Sequence, residues 1–236
     1  MDEKASALTA AKMAAGFRAA DMVDDDMVIG LGTGSTVFYT IERLAVRIRE
    51  GLKIYGIPTS FQTAIRAREY GIPLTTLDDN PIIDLAIDGA DEVDPHLNLI
   101  KGRGAAHTRE KCVASAAFQF IVVVDEQKVV SRLKAPVPVE ILPFAIRPAM
   151  NQLREFGCLP RIRDGIKKDG PVITDNGNFI VDCAFNTIDN PPELERAIAN
   201  IPGVIECGLF CNFTDKTTVI VGGEKECRIL SLDIVP

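Results

Sequence analysis

The sequence lacks several features that would assign it to a specialised class of protein. No apolar run approaches the length of a membrane-spanning helix, and no Cys-x-x-Cys pair occurs among its six cysteines. Cys207 and Cys211 have no nearby histidine to complete a zinc site. These absences argue against a membrane protein and a zinc-binding module. We expect no metal site, and reduced thiols in a cytoplasm-like compartment.

Positive charge is also in short supply. The chain has 26 Lys and Arg against 33 Asp and Glu, which gives a net charge of −7. A general nucleic-acid binder needs a basic surface, so we expect no nucleic-acid partner. A phosphorylated small substrate is still compatible with this net charge, because a few lysines can make the inside of a pocket positive. The start, Met1 to Lys4, lacks the plan of a signal peptide. This favours the cytoplasm, with a trimmed plastid form left open.

The first half of the 236-residue chain alternates apolar strand-like segments with segments of helical spacing. Predicted strands cover residues 27–32, 52–57, 81–87 and 120–124, and predicted helices cover 35–49, 61–70 and 108–118. Repeated strand–helix units of this length predict an α/β fold. We expect a Rossmann-like, open and mostly parallel sheet with helices on both faces.

After residue 134 the pattern changes to β-α-β-β-α-β, which predicts a smaller, ferredoxin-like α+β domain. Its predicted strands are 137–142, 159–163, a hairpin within 171–185 and 204–210, with helices at 148–156 and 191–200. A last strand at 217–221 is predicted to return to the first sheet. The predicted domains are therefore residues 1–134 plus 212–236, Rossmann-like and catalytic, and residues 135–211, smaller and α+β.

A glycine-rich segment, Gly-Leu-Gly-Thr-Gly-Ser-Thr at residues 30–36, follows a predicted strand and opens a helix. Backbone N–H groups and hydroxyls at a helix N-terminus form a phosphate cradle. The glycine spacing does not fit a dinucleotide-binding loop, and no Gly-Lys-Ser/Thr follows for an NTPase loop. A plain tight turn with a Ser/Thr helix cap is the alternative.

Charged residues crowd the segment from Ile82 to Lys111. Asp88 and Asp91 follow a buried strand, where the carboxyl ends of parallel strands line a ligand crevice. Glu110 is ambiguous by itself, since a first-turn glutamate after a Thr108 N-cap also complements the helix dipole. Both histidines, His96 and His107, are predicted on the loop surface. Lys12 and Lys128 are compatible with surface or site.

Four motifs stand out: residues 30–36, Asp-Gly-Ala-Asp-Glu at 88–92, Lys-Gly-Arg-Gly-Ala at 101–105 and Arg-Glu-Lys at 109–111. Together they closely resemble the type A ribose-5-phosphate isomerase family. Supporting stretches lie at residues 58–60, 124–128, 174–178 and 201–204. The resemblance implies interconversion of ribose 5-phosphate and ribulose 5-phosphate in the non-oxidative pentose phosphate pathway. It also implies no metal or nucleotide cofactor, and a homodimer or larger homo-oligomer.

The resemblance also implies the site residues. Glu110 matches the family's proton-transferring base, acting through a cis-enediol, and Asp88, Asp91 and Lys101 match residues that hold and polarise the sugar. The matches to substrate contacts are Thr33, Gly34, Ser35, Thr36, Asp88, Gly89, Ala90, Asp91, Lys101, Gly102, Arg103, Gly104 and Lys128. Many members have glycine at the position of Arg103. Plant-type members carry arginine there, and the role of this side chain is open.

Three other functions are less compatible with these residues. A non-catalytic phosphosugar sensor would keep the phosphate loop but need not keep Glu110, Lys101 and both aspartates. A sugar-phosphate deaminase or lactonase is disfavoured by the motifs at residues 88–92 and 101–105. An NAD-dependent dehydrogenase is disfavoured by the glycine spacing of residues 30–36. An isomerase is the function that the sequence favours.

Overall fold

The computed structural model describes residues 3–223 and 226–232 of the chain. Within them the α-helices are α1 (Glu3–Ala20), α2 (Ser35–Arg49), α3 (Phe61–Glu69), α4 (His107–Ala116), α5 (Ile146–Glu155) and α6 (Pro191–Ala199). The strands are β1 (Val28–Leu31), β2 (Tyr55–Pro58), β3 (Ile83–Gly89), β4 (Glu92–Val93), β5 (Leu99–Ile100), β6 (Ala117–Asp125), β7 (Val137–Ile141), β8 (Cys158–Ile162), β9 (Phe179–Phe185), β10 (Val204–Cys207), β11 (Leu209–Phe210), β12 (Thr217–Gly222) and β13 (Cys227–Ser231).

The largest sheet has the strand order β13-β12-β6-β3-β1-β2. Its neighbours from β12 to β2 pair in parallel, and β13 adds an antiparallel edge strand. The predicted open, mostly parallel sheet is therefore confirmed. The return of the chain through β12 to the first sheet is confirmed as well.

Side chains of β1 alternate between two covered faces of this sheet. Ile29 and Leu31 are fully buried in a cluster with residues of α1 and α2. Gly30 points to the other face, where a Cβ at its position would lie 2.2 Å from Cγ1 of Val113 on α4. Glycine is needed here because the helix packs directly on the strand. Helices thus cover both faces, as predicted.

The second sheet is antiparallel, with the order β10-β7-β9-β8. Val139 and Val181 lie on its buried side, in one cluster with Leu153 of α5 and Ile198 of α6. The chain order β7-α5-β8-β9-α6-β10 is the predicted ferredoxin-like plan, which is confirmed.

Two predicted segments differ in detail. The hairpin within 171–185 has its turn at residues 174–178, but only β9 is a strand, and Ile173 forms an isolated bridge to Phe179. Residues 204–210 form two strands rather than one. The chain turns at Gly208, where a Cβ would lie 2.2 Å from the Lys101 carbonyl oxygen. As a result β10 pairs with β7, whereas β11 joins a three-stranded sheet of order β11-β5-β4.

The chain divides into two compact units. Unit 1 holds residues up to 90, residues 109–129 and those from 213 onward, and unit 2 holds residues 91–108 and 130–212. The sequence assigns residues 91–108 to the first domain, so these units and the predicted domains differ there. No helix among the described residues is long and apolar enough to cross a membrane.

Candidate active site

Three loops of unit 1 leave the same edge of the parallel sheet. Neighbouring strands β1, β3 and β6 run in one direction, so their carboxyl ends lie at one edge. Thr33 follows β1, Asp88 lies at the end of β3, and Lys128 follows β6. Open α/β sheets bind ligands at this edge. The predicted residues of unit 1 are therefore collected where such a fold places its ligand.

Asp88 is buried, with 3% of its surface exposed. Its Oδ1 accepts hydrogen bonds from the backbone N–H of Thr33, at 3.1 Å, and of Gly89, at 2.7 Å. The carboxylate lies so close to Gly32 that a Cβ there would be 2.2 Å from the Asp88 carboxyl carbon. The glycine of the loop is thus required by the aspartate beside it. Ala90, half-buried, ends this segment of unit 1.

The hydroxyl group of Thr33 lies in a cluster of hydroxyls. Its Oγ1 is 2.7 Å from Ser60 Oγ, 3.0 Å from Thr59 Oγ1 and 3.1 Å from Thr63 Oγ1. Thr63 in turn donates to the Gly32 carbonyl at 2.8 Å. These bonds fix the loop after β1 to the start of α3. The sequence signal for this cluster is the Pro-Thr-Ser segment at residues 58–60, where β2 ends at the same edge of the sheet.

The N-terminus of α2 is shaped to receive an anion. Gly34 is the N-cap residue, with φ of 132°, and has no side chain to cap the helix. Backbone N–H groups of the first turn, at Ser35 and Thr36, therefore point out of the helix end. Lys12 of α1 places its Nζ 3.2 Å from Ser35 Oγ. The Ser/Thr cap of the alternative interpretation is not used, and Lys12, ambiguous in the sequence, lies at this loop.

Glu110 is 5% exposed and lies in the first turn of α4. This helix is followed directly by β6, whose first residue pairs with Ile83 at the start of β3. Val113 packs beside Gly30, further along the sheet. The helix thus runs against the direction of the strands, and Glu110 lies one turn closer to the carboxyl edge than Val113. This position suits a carboxylate that acts at that edge.

Lys128 ends a short 3-10 helix, Glu126–Lys128, directly after β6. The buried Asp125 starts this turn, and its side chain accepts a hydrogen bond from the backbone N–H of Gln127 at 3.1 Å. Lys128 itself is half-buried. Its place beyond the end of β6 puts a cation at the same edge as Asp88.

Unit 2 holds the other predicted residues, beginning with Asp91. Its backbone N–H donates to the Ile100 carbonyl, and its Oδ2 accepts from the backbone N–H of Arg103 at 3.0 Å. The Arg103 guanidinium Nε is 3.7 Å from Asp91 Oδ1, with 76% of the arginine side chain exposed. Arg163 donates to the carbonyls of Gly102 and Arg103, both at 3.0 Å. The middle of the segment from Lys101 to Gly104 is thus held by Asp91 and Arg163.

Lys101 is 2% exposed, and its Nζ lies 5.3 Å from the centre of the Phe210 ring. Beside it, Gly102 has φ of 101°, and a Cβ there would lie 2.6 Å from Nδ1 of His107. The sequence predicts His107 on the surface, but this prediction is wrong because the ring is fully buried. The difference arises because His107 packs against Gly102, a contact that sequence spacing does not reveal.

Metal ligands are not grouped in the part of the chain that the structure describes. Among residues 3–223 and 226–232 no set of three or more His, Cys, Asp and Glu side chains is placed to hold a metal ion. The charged side chains described above are lysines, arginines and carboxylates, and α2 adds a helix N-terminus. Such groups can bind an anion and move protons. The fold and the site together define an α/β protein with an anion-binding loop and buried carboxylates at the carboxyl edge of its sheet.

Comparisons with known proteins agree with this class. Residues 55–226 match the family model described as ribose 5-phosphate isomerase A (phosphoriboisomerase A). The chain is 68% identical to ribose-5-phosphate isomerase A of Methanoregula boonei, over 98% of both chains. It is similar to the solved ribose 5-phosphate isomerase A of Methanocaldococcus jannaschii, with 49% identity and a TM-score of 0.89, over 93% of this chain and 97% of that one.

A solved D-ribose-5-phosphate isomerase in complex with phospho-erythronic acid is also similar, with 49% identity and a TM-score of 0.90. The match covers 93% of this chain and 97% of that one. The family match covers more than half of the chain, and the relatives match nearly all of it. The chain belongs to the ribose 5-phosphate isomerase A family. The resemblance predicted from its motifs is confirmed.

Proposed function

We propose that this chain interconverts D-ribose 5-phosphate and D-ribulose 5-phosphate through a cis-enediol, with Glu110 as the base that moves the proton between C1 and C2. As a member of the ribose 5-phosphate isomerase A family, the chain is an aldose–ketose isomerase of the pentose phosphate pathway. The role of Glu110 is supported by its buried position in the first turn of α4, toward the carboxyl edge of the sheet.

The phosphate of the substrate binds at the N-terminus of α2. Backbone N–H groups there complement a dianion, and Thr33, Ser35 and Thr36 supply hydroxyls. Lys12 adds a positive charge beside Ser35. The similar isomerase that binds phospho-erythronic acid supports this assignment, because that compound joins a phosphate to a carboxylate. A charged enediolate of the sugar phosphate has the same two anionic ends.

Isomerisation requires a carboxylate near two carbons and groups that stabilise charge on the oxygens. Glu110 takes the proton from one carbon and returns it to the other. Lys101 stabilises the developing oxyanion as a cation, and its burial strengthens this effect because little water screens the charge. Asp88 or Asp91 relays the hydroxyl protons. The phosphate supplies binding energy that orients the sugar.

The remaining predicted residues are proposed as contacts to the sugar phosphate. Gly34, Gly89, Ala90, Gly102 and Gly104 bring backbone close to the ligand, and Arg103 and Lys128 add positive charge. The family resemblance supports catalysis without a metal or nucleotide cofactor. It also supports a homodimer or larger assembly, and we expect a cytoplasmic location.

The enediol route is tested by isomerising ribose 5-phosphate in D2O with EDTA and no nucleotide. A base that lifts the C2 proton can exchange it with solvent, so we expect deuterium at C1 of the ribulose 5-phosphate formed. NMR of the product measures this label. Sugar phosphates that both keep their original hydrogen after many turnovers at equilibrium would favour a hydride shift and overturn the proposed route, because a base exchanges the proton with solvent in some of those turnovers.

A further inference from the structure

A fully buried carboxylate that the proposed chemistry does not use lies in unit 2. Glu140, on β7, has none of its surface exposed. Its Oε1 accepts hydrogen bonds from Thr174 Oγ1 and Asn178 Nδ2, both at 2.8 Å, and from Asn176 Nδ2 at 3.1 Å. Its Oε2 accepts the hydroxyl proton of Thr108. Four neutral side chains therefore converge on one carboxylate.

This convergence keeps the carboxylate charged. Burial alone would raise the pKa of Glu140, but the hydrogen bonds from Thr108, Asn178, Thr174 and Asn176 outweigh it and lower the pKa. A buried charge is costly unless its acceptor sites are filled, and here each oxygen has donors. Three of the donors come from the turn at residues 174–178. The fourth comes from a different part of the chain.

That fourth donor, Thr108, belongs to the first turn of α4. Its neighbour His107 is fully buried, with Nε2 3.3 Å from the carbonyl oxygen of Glu206 on β10. The first two residues of α4 are thus both attached through their side chains to strands of the antiparallel sheet. Glu110 follows two residues later in the same helix. Thr108 is predicted from the sequence as an N-cap, but it lies inside the helix and its hydroxyl binds Glu140 instead.

We infer that Glu140 is a positioning residue for the isomerisation. Through its hydrogen bond with Thr108, Glu140 fixes the orientation of the first turn of α4. It thereby fixes the direction in which the Glu110 side chain leaves the helix. The inference rests on the proposed role of Glu110 as base. Proton transfer depends steeply on geometry, since a displacement of about 1 Å can cost about 100-fold in rate. Holding the helix start by a buried, charged acceptor gives that turn one orientation.

The test compares two variants of Thr108. Thr108→Ser keeps the hydroxyl that Glu140 accepts, whereas Thr108→Val keeps the shape and removes the hydroxyl. We expect Thr108→Val to lower kcat at least about 10-fold with KM within about 2-fold, because substrate binding is retained while the base is misplaced. Thr108→Ser should restore kcat to within about 2-fold of the wild type. Steady-state kinetics with ribose 5-phosphate measure both constants.

Asn176→Ala is the matched control, because it removes another hydrogen bond to the same carboxylate from an exposed residue outside α4. Its kcat should stay within about 2-fold of the wild type. Equal losses of kcat in Asn176→Ala and Thr108→Val would show a general effect on the network and overturn the inference. Wild-type kcat in Thr108→Val would overturn it too.

Glu110→Gln separates this inference from the role of the base. If Glu110→Gln is inactive and Thr108→Val is as active as the wild type, Glu110 remains the base and the positioning role is wrong. If Glu110→Gln turns over normally, the base itself is misassigned. Thermal melting of every variant shows whether a loss of rate follows from a loss of fold.

Discussion

Among single residues, Lys12 has a position that its sequence context does not reveal. It lies in α1, far along the chain from the glycine-rich loop, yet its Nζ is 3.2 Å from Ser35 Oγ at the start of α2. A cation beside a helix N-terminus adds to the attraction that the helix dipole exerts on an anion. The substrate keeps its phosphate throughout the reaction. A contact of Lys12 with that phosphate would therefore affect binding more than chemistry.

Replacing Lys12 by methionine tests this role. A hydrogen bond to a charged group contributes about 1.5–3 kcal/mol, so Lys12→Met should raise KM for ribose 5-phosphate about 10-fold or more. The kcat should change little, because the ground state and the transition state lose the same contact. The control is Lys53→Met, which removes an exposed lysine before β2, at the other edge of the sheet. An unchanged KM in Lys12→Met would show that Lys12 does not contact the phosphate.

Single residues also mark how far the sequence predicts the site. The positions of Asp88 and Glu110 follow from local rules, because a carboxylate after a buried strand or in a first helical turn is visible in the chain itself. The burial of His107 and the bond from Thr108 to Glu140 depend on β10 and β7, which come much later in the sequence. Such long-range contacts leave no local pattern, and the predictions for both residues are wrong.

At the level of elements, the helices with clear end signals are predicted best. Helix α2 has the predicted bounds, and α6 begins at its proline-rich entry as expected. Helix α1 is rich in alanine, which gives little contrast between its faces, and no prediction covers it. The strands β4, β5 and β11 have two residues each. A period-2 pattern cannot be recognised over so short a length.

The N-cap of α6 gives a prediction about the contribution of a single helix end to stability. Asn190 is its N-cap and accepts a hydrogen bond from the backbone N–H of Glu193, while the Glu193 side chain accepts from Asn190 Nδ2 at 2.9 Å. Asn190→Ala should lower the free energy of unfolding by about 1 kcal/mol. Asn190→Ser should keep most of this contribution, because serine can also cap the helix. Urea unfolding measures the difference. Equal stability of Asn190→Ala and wild type would contradict the capping role.

For the whole molecule, the lowered pKa of Glu140 predicts how the free energy of unfolding changes as the pH falls. Its pKa is lowered from 4.5 in the folded chain by the hydrogen bonds that offset its burial. The unfolded chain therefore binds the proton more readily as the pH falls. This contribution to stability is complete above the unfolded pKa and is lost as the pH drops through the lower, folded pKa.

The comparison of wild type with Glu140→Gln isolates this effect. Glutamine does not titrate, so the stability advantage of the wild type should shrink as the pH falls below 4.5. Urea unfolding of both proteins at several values between neutral and acidic pH measures the difference. A difference that stays constant over this range would show that Glu140 does not titrate with a lowered pKa.

The fold of the molecule as a whole is predicted from two repeating patterns. Alternating strands and helices predict the parallel sheet, and the β-α-β-β-α-β order predicts the antiparallel one; both are confirmed. The sequence places residues 91–108 with the first sheet because they lie between β3 and β6. In the structure they group with unit 2, since β5 pairs with β4 on one side and with β11, near residue 210, on the other. The predicted division at residues 134 and 212 stays a prediction.

The turnover of Glu110→Gln shows directly whether Glu110 is the base of the isomerisation. Glutamine keeps the size and hydrogen-bonding shape of glutamate but cannot take up the proton, so kcat should fall by about two to four decades. Binding of ribose 5-phosphate, measured by calorimetry, should stay close to that of the wild type. Glu126→Gln, at an exposed glutamate, is the control and should keep its activity. Turnover of Glu110→Gln near that of the wild type would show that Glu110 is not the base.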